Sequence, residues 1–281
     1  MIRSTLVLAL LGAFSINSQA GTLLFDRDVT GNVITGSGIG NGGFTVATTE
    51  SLEIGLRARV RYGNPDINGV YSPTGQTNSN HDGSYSHATG GFTPSGGANG
   101  TAGGTRASWN FDWSINTNTS PKPGQNIAAL TYQLGMDFDA GVGTHFQVFD
   151  LINGPNPSAG GAAAWDHSFG KNSTAQGQGT KASGATLPDY LLSYNALKAA
   201  NNLVQNSWNY DFFDNDSNFK FDPTKDGTYT IYLQAFGADG KSLARSEINV
   251  IVGKGAQIPE PASLALVGLA LAGMGLLRRR S

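Results

Sequence analysis

Oxygen-bearing side chains recur at alternate positions between Asp214 and Asp222. With Asp214 as position one of a loop, the residues at positions three, five and nine are Asp216, Asn218 and Asp222. Such oxygens suit a hard cation with flexible coordination, and calcium is the ion that this spacing favours. An EF-hand loop has glycine at position six and glutamate at position twelve, where this chain has Phe219 and Lys225. The alternative is a polar loop whose Asp and Asn side chains bind their own backbone.

Other catalytic and metal-binding arrangements have less support. The chain has no cysteine, which excludes disulfides and thiolate chemistry. Its four histidines are His81, His87, His145 and His167. They form no His-x-x-x-His pair, which disfavours zinc, and no Gly-x-Ser-x-Gly segment indicates a serine hydrolase. A glycosidase needs two carboxylates on either side of one bond, and the sequence does not place Asp137 and Asp139 in that way. We therefore predict that the protein is not an enzyme.

The charge of the chain disfavours binding to nucleic acid. The 18 basic and 20 acidic residues give a formal net charge of −2. Four of the basic residues, Arg3 and the three arginines near the C-terminus, lie in the end segments together with the acidic Glu260. The remaining body is therefore near −5, without a basic block. Such a body offers nucleic acid no electrostatic attraction.

Alternation of apolar and polar residues predicts a β-rich body. From Leu52 to Tyr62 every second residue is apolar, and Arg57, Arg59 and Arg61 share the opposite face. We expect this arginine row to be the solvated, salt-bridged face of a sheet, with an anion-binding stripe as the alternative. Further strands are predicted at Ser108–Ile115, Leu130–Phe138, Thr144–Leu151, Trp208–Phe213, Thr228–Phe236 and Ser242–Val252.

The first of these further strands has an aromatic face. Trp109, Phe111 and Trp113 alternate along it. We expect them to lie in the core, and a sugar-stacking platform is the alternative.

Glycine-rich loops and one helix complete the body. Residues 83–105 hold eight glycines and no charged residue, and residues 153–186 are similarly polar; both are predicted to be irregular. A helix is predicted from Pro188 to Asn201, with its buried stripe at Leu191, Leu192, Leu197 and Ala200. The predicted fold class is mainly β: an antiparallel β-sandwich, jelly-roll or Ig-like, with long Gly/Ser/Asn-rich loops.

The first 20 residues have the pattern of a signal peptide. Arg3 supplies the positive region, residues 6–14 the apolar region, and Ser18-Gln19-Ala20 the cleavage site. Cleavage between Ala20 and Gly21 would remove the signal helix. A passenger domain of residues 21–257 would remain.

The C-terminal segment, residues 258–281, combines three features. The tripeptide Pro259-Glu260-Pro261 resists helix formation, because proline fixes φ and restricts the residue before it. Residues 262–277 carry no charge. As a helix they would span roughly 24 Å, somewhat less than a hydrocarbon core of about 30 Å. The cluster Arg278, Arg279 and Arg280 would hold the end on the cytoplasmic side.

These three features, in this order, resemble the PEP-CTERM sorting signal of Gram-negative bacteria. The resemblance implies that an exosortase in the inner membrane recognises the tripeptide and removes the helix, while signal peptidase acts at the other end. It further implies a transient inner-membrane anchor, followed by the cell surface or the extracellular matrix. Proteins with this signal are associated with exopolysaccharide and biofilm.

The sequence thus predicts a non-catalytic, exported surface or matrix protein associated with exopolysaccharide. The alternative is a lectin-like carbohydrate-binding module, with calcium at the Asp214 loop as its cofactor. A secreted polysaccharide-degrading enzyme is the third class. The expected partners are exosortase, signal peptidase and exopolysaccharide, and no nucleic acid.

Overall fold

Two β-sheets of six and five strands form the larger part of the fold in the computed structural model. The structure describes residues 22–35, 39–65, 71–72, 74–94, 101–120, 125–159, 164–214 and 217–256. The signal segment with Ala20 and Gly21, and the sorting segment 258–281, lie outside the described residues. The signal and sorting helices therefore stay predictions.

The eleven strands of these sheets are β1 Thr22–Arg27, β2 Phe44–Thr48, β3 Glu53–Val60, β4 Ser84–His87, β5 Trp109–Asn116, β6 Thr131–Asp137, β7 Phe146–Phe149, β8 Ser168–Gly170, β9 Leu203–Trp208, β10 Gly227–Phe236 and β11 Ser242–Val252. The α-helix α1 is Leu187–Ala200, and short 3-10 helices lie at Ile127–Ala129, Pro157–Ala159 and Tyr210–Phe213. Two smaller sheets join Asn64–Pro65 to Tyr71–Ser72, and Gly91–Thr93 to Thr101–Ala102 and Arg106–Ala107.

The strand order is β1-β2-β3-β5-β9-β8 in the six-stranded sheet and β7-β6-β10-β11-β4 in the five-stranded sheet. Neighbouring strands run antiparallel, except that β11 and β4 are parallel. The inward faces of the two sheets share one hydrophobic core. The Ser246 hydroxyl also donates to the Thr45 carbonyl across 2.7 Å, from β11 to β2. This mainly β, antiparallel architecture is consistent with the predicted β-sandwich; the jelly-roll or Ig-like topology stays a prediction.

The aromatic face of β5 lies in the core, as predicted. Trp109, Phe111 and Trp113 are at most 1 % exposed. Trp165 and Trp208 are buried as well. Stacking on a sugar requires an exposed ring face, so none of the four tryptophans offers a sugar platform.

Five of the predicted strands are confirmed as β3, β5, β6, β10 and β11, and a shorter version of the sixth as β7. The prediction at Trp208–Phe213 was wrong, because the strand ends at Trp208 and a 3-10 turn follows. Residues 83–105 are also more regular than predicted. They contain β4, which pairs with β11, and part of a three-stranded sheet.

The predicted helix is confirmed as α1, but its buried stripe differs. Thr186 and Asp189 form a capping box at its start. Tyr194 is the buried residue of the helix, whereas Leu192 is 73 % exposed. Tyr190 and Leu197 pack beside Tyr194, at the i, i+4 and i+7 spacing of one helix face.

Within the described residues, none of the helices has both the length and the apolar character required to cross a membrane.

Candidate functional site

A cleft of about 520 Å³ opens on the outer face of the six-stranded sheet. Its floor is made by the outward side chains of three neighbouring strands: Arg59 on β3, Asn110 on β5 and Ser207 on β9. Its walls are formed by Asn206 of β9 and by residues from loops and short elements: Ile34, Thr35, Ile39, Arg61, Thr74, Arg106, Asp166, Lys181 and Phe212. Charged, amide and hydroxyl groups therefore surround a space that is large enough for sugar-sized ligands.

The strand register brings opposite charges together beneath this floor. Arg57 lies directly opposite Asp112, which in turn lies opposite Ser207. One carboxylate oxygen, Asp112 Oδ2, accepts from Arg57 Nε at 2.9 Å and from Arg59 Nε at 2.7 Å. Burial acts to raise the pKa of Asp112, but the two guanidinium charges hold it below its usual value. The carboxylate is therefore ionised at neutral pH.

Two members of the predicted arginine row, Arg57 and Arg59, are salt-bridged as expected, but they do not lie on a solvated face. Arg57 and Arg59 are 2 % and 4 % exposed. The chain folds over this side of the sheet, and the Arg57 guanidinium donates to the backbone carbonyls of Gly40 and Gly42. The prediction of a solvated face was wrong because a loop covers the outer face as well, which a strand pattern does not reveal.

Polar contacts order the floor of the cleft. Ser207 Oγ accepts from Arg59 Nη2 and from Asn110 Nδ2, both at 3.1 Å. Asn206 Nδ2 donates to Asp166 Oδ1 at 2.9 Å. Loss of surrounding water acts to raise the pKa of Asp166, but the Asn206 amide and the Lys181 ammonium lower it below its usual value. Asp166 is thus a charged acceptor at the wall.

Three cations of the wall make contacts weaker than those beneath the floor. The guanidinium of Arg61 lies over the Tyr62 ring at 4.8 Å. Arg106 lies over the Phe212 ring at 4.8 Å, and its Nε is 3.8 Å from Asp211. Lys181 Nζ is 3.4 Å from Asp166. The described residues of the cleft and of its ion pairs include five cations: Arg57, Arg59, Arg61, Arg106 and Lys181. They include three carboxylates: Asp112, Asp166 and Asp211.

A second basin of about 420 Å³ continues the cleft. The two basins share Asp166, Ser207 and Phe212. Beyond these shared residues the second basin is lined by uncharged groups, among them Asn156 and Tyr190. The two basins together make one groove with a cationic end and a neutral end.

The residues predicted to bind calcium make ordinary loop contacts where they are described. Asp214 Oδ1 accepts from Lys220 Nζ at 2.8 Å. Asp222 Oδ1 accepts from the Thr224 backbone and hydroxyl. Asn218 is exposed, and Asp216 lies outside the described residues. The described part of the chain contains no group of three His, Asp or Glu placed to hold a metal ion. The calcium site stays a prediction.

The histidines are dispersed. His87 and His167 are buried, and burial lowers their pKa values to about 3 and about 4. His81 Nδ1 lies 2.5 Å from Asp26 Oδ2 at the surface, and His145 stacks on Phe219.

Asp137 and Asp139 do not face one another across a cleft. Asp137 Oδ1 accepts from the backbone N–H groups of Asp139 and His145, and Asp139 Oδ1 accepts from that of Gly141. Both carboxylates thus order the turn between β6 and β7.

Sequence reasoning found the arginines of β3 but missed the walls of the cleft. Arg106, Asp166, Lys181 and Phe212 lie in separate connecting segments, and Ser207 lies on a strand that was not predicted. No spacing in the sequence links residues that are brought together only by the packing of the sheet.

The sorting residues Pro259, Glu260 and Pro261 and the arginines 278–280 lie outside the described residues. In this C-terminal part of the sequence, a family model described as the PEP-CTERM protein-sorting motif matches residues 257–280. The resemblance predicted from the sequence is thereby confirmed, and the motif implies an exported protein that is processed by an exosortase. No curated protein and no solved structure matches the chain.

Proposed function

We propose that this chain, exported through its PEP-CTERM motif, is a non-catalytic matrix or surface protein that binds exopolysaccharide through the groove. The observation that carries the proposal is the groove itself, in which amide, hydroxyl and charged groups line two joined basins. Two joined polar basins suit consecutive units of a polymer better than one small apolar ligand.

The chemistry of the lining supports a sugar as the ligand. Sugar hydroxyl groups both donate and accept hydrogen bonds, and Asn110, Asn206 and Ser207 carry both kinds of group. Phe212 is half-buried at the junction of the basins, with the Arg106 guanidinium over its ring at 4.8 Å, and would offer a bound sugar an apolar contact beside that cation.

The distribution of carboxylates supports a non-catalytic role. Glycoside hydrolysis requires two carboxyl groups on either side of the bond. Asp166 is the sole carboxylate among the described residues that line either basin.

The route of the protein follows from its two ends. Signal peptidase would remove residues 1–20, and the tail would hold the body at the inner membrane for a short time. Exosortase cleavage at Pro259-Glu260-Pro261 would then pass the body to the cell surface or the biofilm matrix.

Co-sedimentation tests the proposal. The protein purified from the producing cells is mixed with the exopolysaccharide of those cells, and bound protein and new reducing ends are measured in the same tube. We expect binding without new reducing ends. Phe212→Ala should weaken binding, whereas Phe25→Ala, on the exposed strand β1, is the matched control. New reducing ends, or no binding, would contradict the proposal.

A further inference from the structure

We infer that the groove selects an anionic polysaccharide, and that Arg61, Arg106 and Lys181 at its cationic end hold a carboxylate group of a sugar unit. The inference rests on the proposed function, because it names the chemical class of the glycan that the groove accepts.

The floor of the groove carries an excess of positive charge. Arg57 and Arg59 share the single carboxylate Asp112, and its other oxygen, Oδ1, is buried without a hydrogen-bond partner among the described residues. Two guanidinium groups against one carboxylate leave one unit of positive charge beneath the cleft. Charge of one sign beneath a cleft attracts ions of the opposite sign into it.

The cations of the wall are held loosely enough to meet a ligand. The Arg106 and Lys181 side chains are 35 % and 42 % exposed, and their distances to Asp211 and Asp166 are 3.8 Å and 3.4 Å. Exposed pairs of this kind contribute little to stability, so exchange of their carboxylate for one on a ligand has a small cost.

Arginine at this place favours a planar anion. A guanidinium group binds a carboxylate through two parallel N–H···O bonds, which a lysine ammonium does not do. The Phe212 ring beneath Arg106 restrains the plane of that guanidinium. A sugar carboxylate bound there would place its ring beside Phe212, and the chain of the polymer would continue into the neutral basin.

The rest of the molecule favours a glycan over nucleic acid. The body outside the end segments is near −5, which repels a uniformly charged phosphate backbone. The wall also retains Asp166, which accepts from a sugar hydroxyl, a donor that a phosphodiester group lacks. A polymer with dispersed charges and many hydroxyl groups fits this mixture of groups.

Affinity measurements test the inference with three probes: native exopolysaccharide of the producing cells, the same polymer with its carboxyl groups reduced to alcohols, and duplex DNA. We expect the native polymer to bind at least about tenfold more tightly than the reduced one, a difference of about 1.4 kcal/mol, because reduction removes the charge-assisted hydrogen bonds of the carboxylate. Binding of the native polymer should weaken as salt is added.

Variants assign the selectivity to the cleft. Arg106→Gln and Lys181→Gln should each lower affinity for the native polymer several-fold and leave affinity for the reduced polymer unchanged. Lys241→Gln, in the hairpin turn between β10 and β11, removes the same charge outside the groove and should change neither.

The outcomes separate the inference from the proposed function. Equal binding of native and reduced polymer would overturn the inference and leave the proposed function in place. Binding of neither polymer would overturn both. Tighter binding of DNA than of polymer, or cleft variants that behave as Lys241→Gln does, would also overturn the inference.

Discussion

The Nε atom of Arg59 lies 2.7 Å from Oδ2 of Asp112, on the outer face of the six-stranded sheet. The same oxygen accepts from Arg57, so two guanidinium groups of β3 converge on one carboxylate of β5. The period-two alternation of β3 puts the arginines on one face, and the antiparallel register puts Asp112 directly opposite Arg57 and within reach of Arg59. The floor of the groove is therefore a direct product of strand pairing.

Replacement of Asp112 by asparagine should destabilise the fold strongly. It would leave two buried guanidinium groups without their counter-charge, and breaking a buried pair costs about 3–5 kcal/mol. We expect urea unfolding to show a loss of this size. Asp239→Asn, which removes an exposed carboxylate from a hairpin turn, should cost far less stability. Similar losses in both variants would mean that the shared ion pair is not stabilising.

The inward faces of the long strands could be predicted, because alternation is a local signal. Trp109, Phe111 and Trp113 all lie in the core as predicted. Strands β1, β2, β4, β8 and β9 were not predicted. β8 has three residues, β1 is mostly exposed, and β9 carries polar residues that are buried by tertiary contacts.

The candidate site was harder to predict from the sequence than the fold was. Arg57 was identified by the pattern of β3, but its burial depends on Gly40 and Gly42, fifteen or more residues away in the chain. Arg106 and Lys181 are far apart in the chain, with strands β5 to β8 between them, and meet at one cleft only after folding. Loop composition predicts polarity, but not which loops converge.

Acid should destabilise the protein through His87 and His167. Burial lowers their pKa values to about 3 and about 4, whereas an unfolded histidine titrates near 6.5. Below pH 6.5 the unfolded state binds more protons than the folded state, so the free energy of unfolding decreases as the pH is lowered. Each histidine contributes a slope of about 1.4 kcal/mol per pH unit until its folded pKa is reached. Urea unfolding between pH 7 and pH 4.5 measures this slope.

Variants isolate the histidine contribution from other groups. Glu53 has the opposite effect on the pH dependence of stability. Burial raises the pKa of its carboxyl group, although Thr30 donates hydrogen bonds to it. The folded state therefore binds this proton more readily than the unfolded state does. His87→Gln should remove the contribution of one histidine to the slope of unfolding free energy against pH. His145→Gln, at an exposed position, should leave that slope as it is in the parent protein. An unchanged slope in His87→Gln would contradict the assignment.

Alanine at Gly135 should destabilise the five-stranded sheet. Gly135 of β6 lies directly opposite Tyr232 of β10, and a Cβ atom there would be 2.1 Å from Cε1 of the tyrosine ring. The ring is held by the Arg245 guanidinium above it at 3.8 Å, so it does not move aside without loss of that contact. Overpacking of this kind costs about 1–3 kcal/mol, although alanine usually stabilises a strand relative to glycine.

Thermal or urea unfolding of paired variants checks this prediction. Gly40→Ala is the matched control, because no atom lies within 4 Å of the added Cβ. We expect the control to stay within about 0.5 kcal/mol of the parent. Gly135→Ala combined with Tyr232→Ala should lose less than the sum of the two single changes, since the second change removes the clash. Strict additivity would show that the two residues do not interact.

Replacement of Pro259-Glu260-Pro261 by three alanines should block removal of the tail. The tripeptide is the part of the matched motif that resists helix formation, and alanine would extend the following apolar segment as a helix. We expect the variant to accumulate in the membrane fraction at its unprocessed mass, as measured by fractionation and mass spectrometry. Glu247→Ala, which removes an acidic residue from β11, should be processed as the parent is. Normal release of the triple-alanine variant would show that cleavage does not depend on the tripeptide.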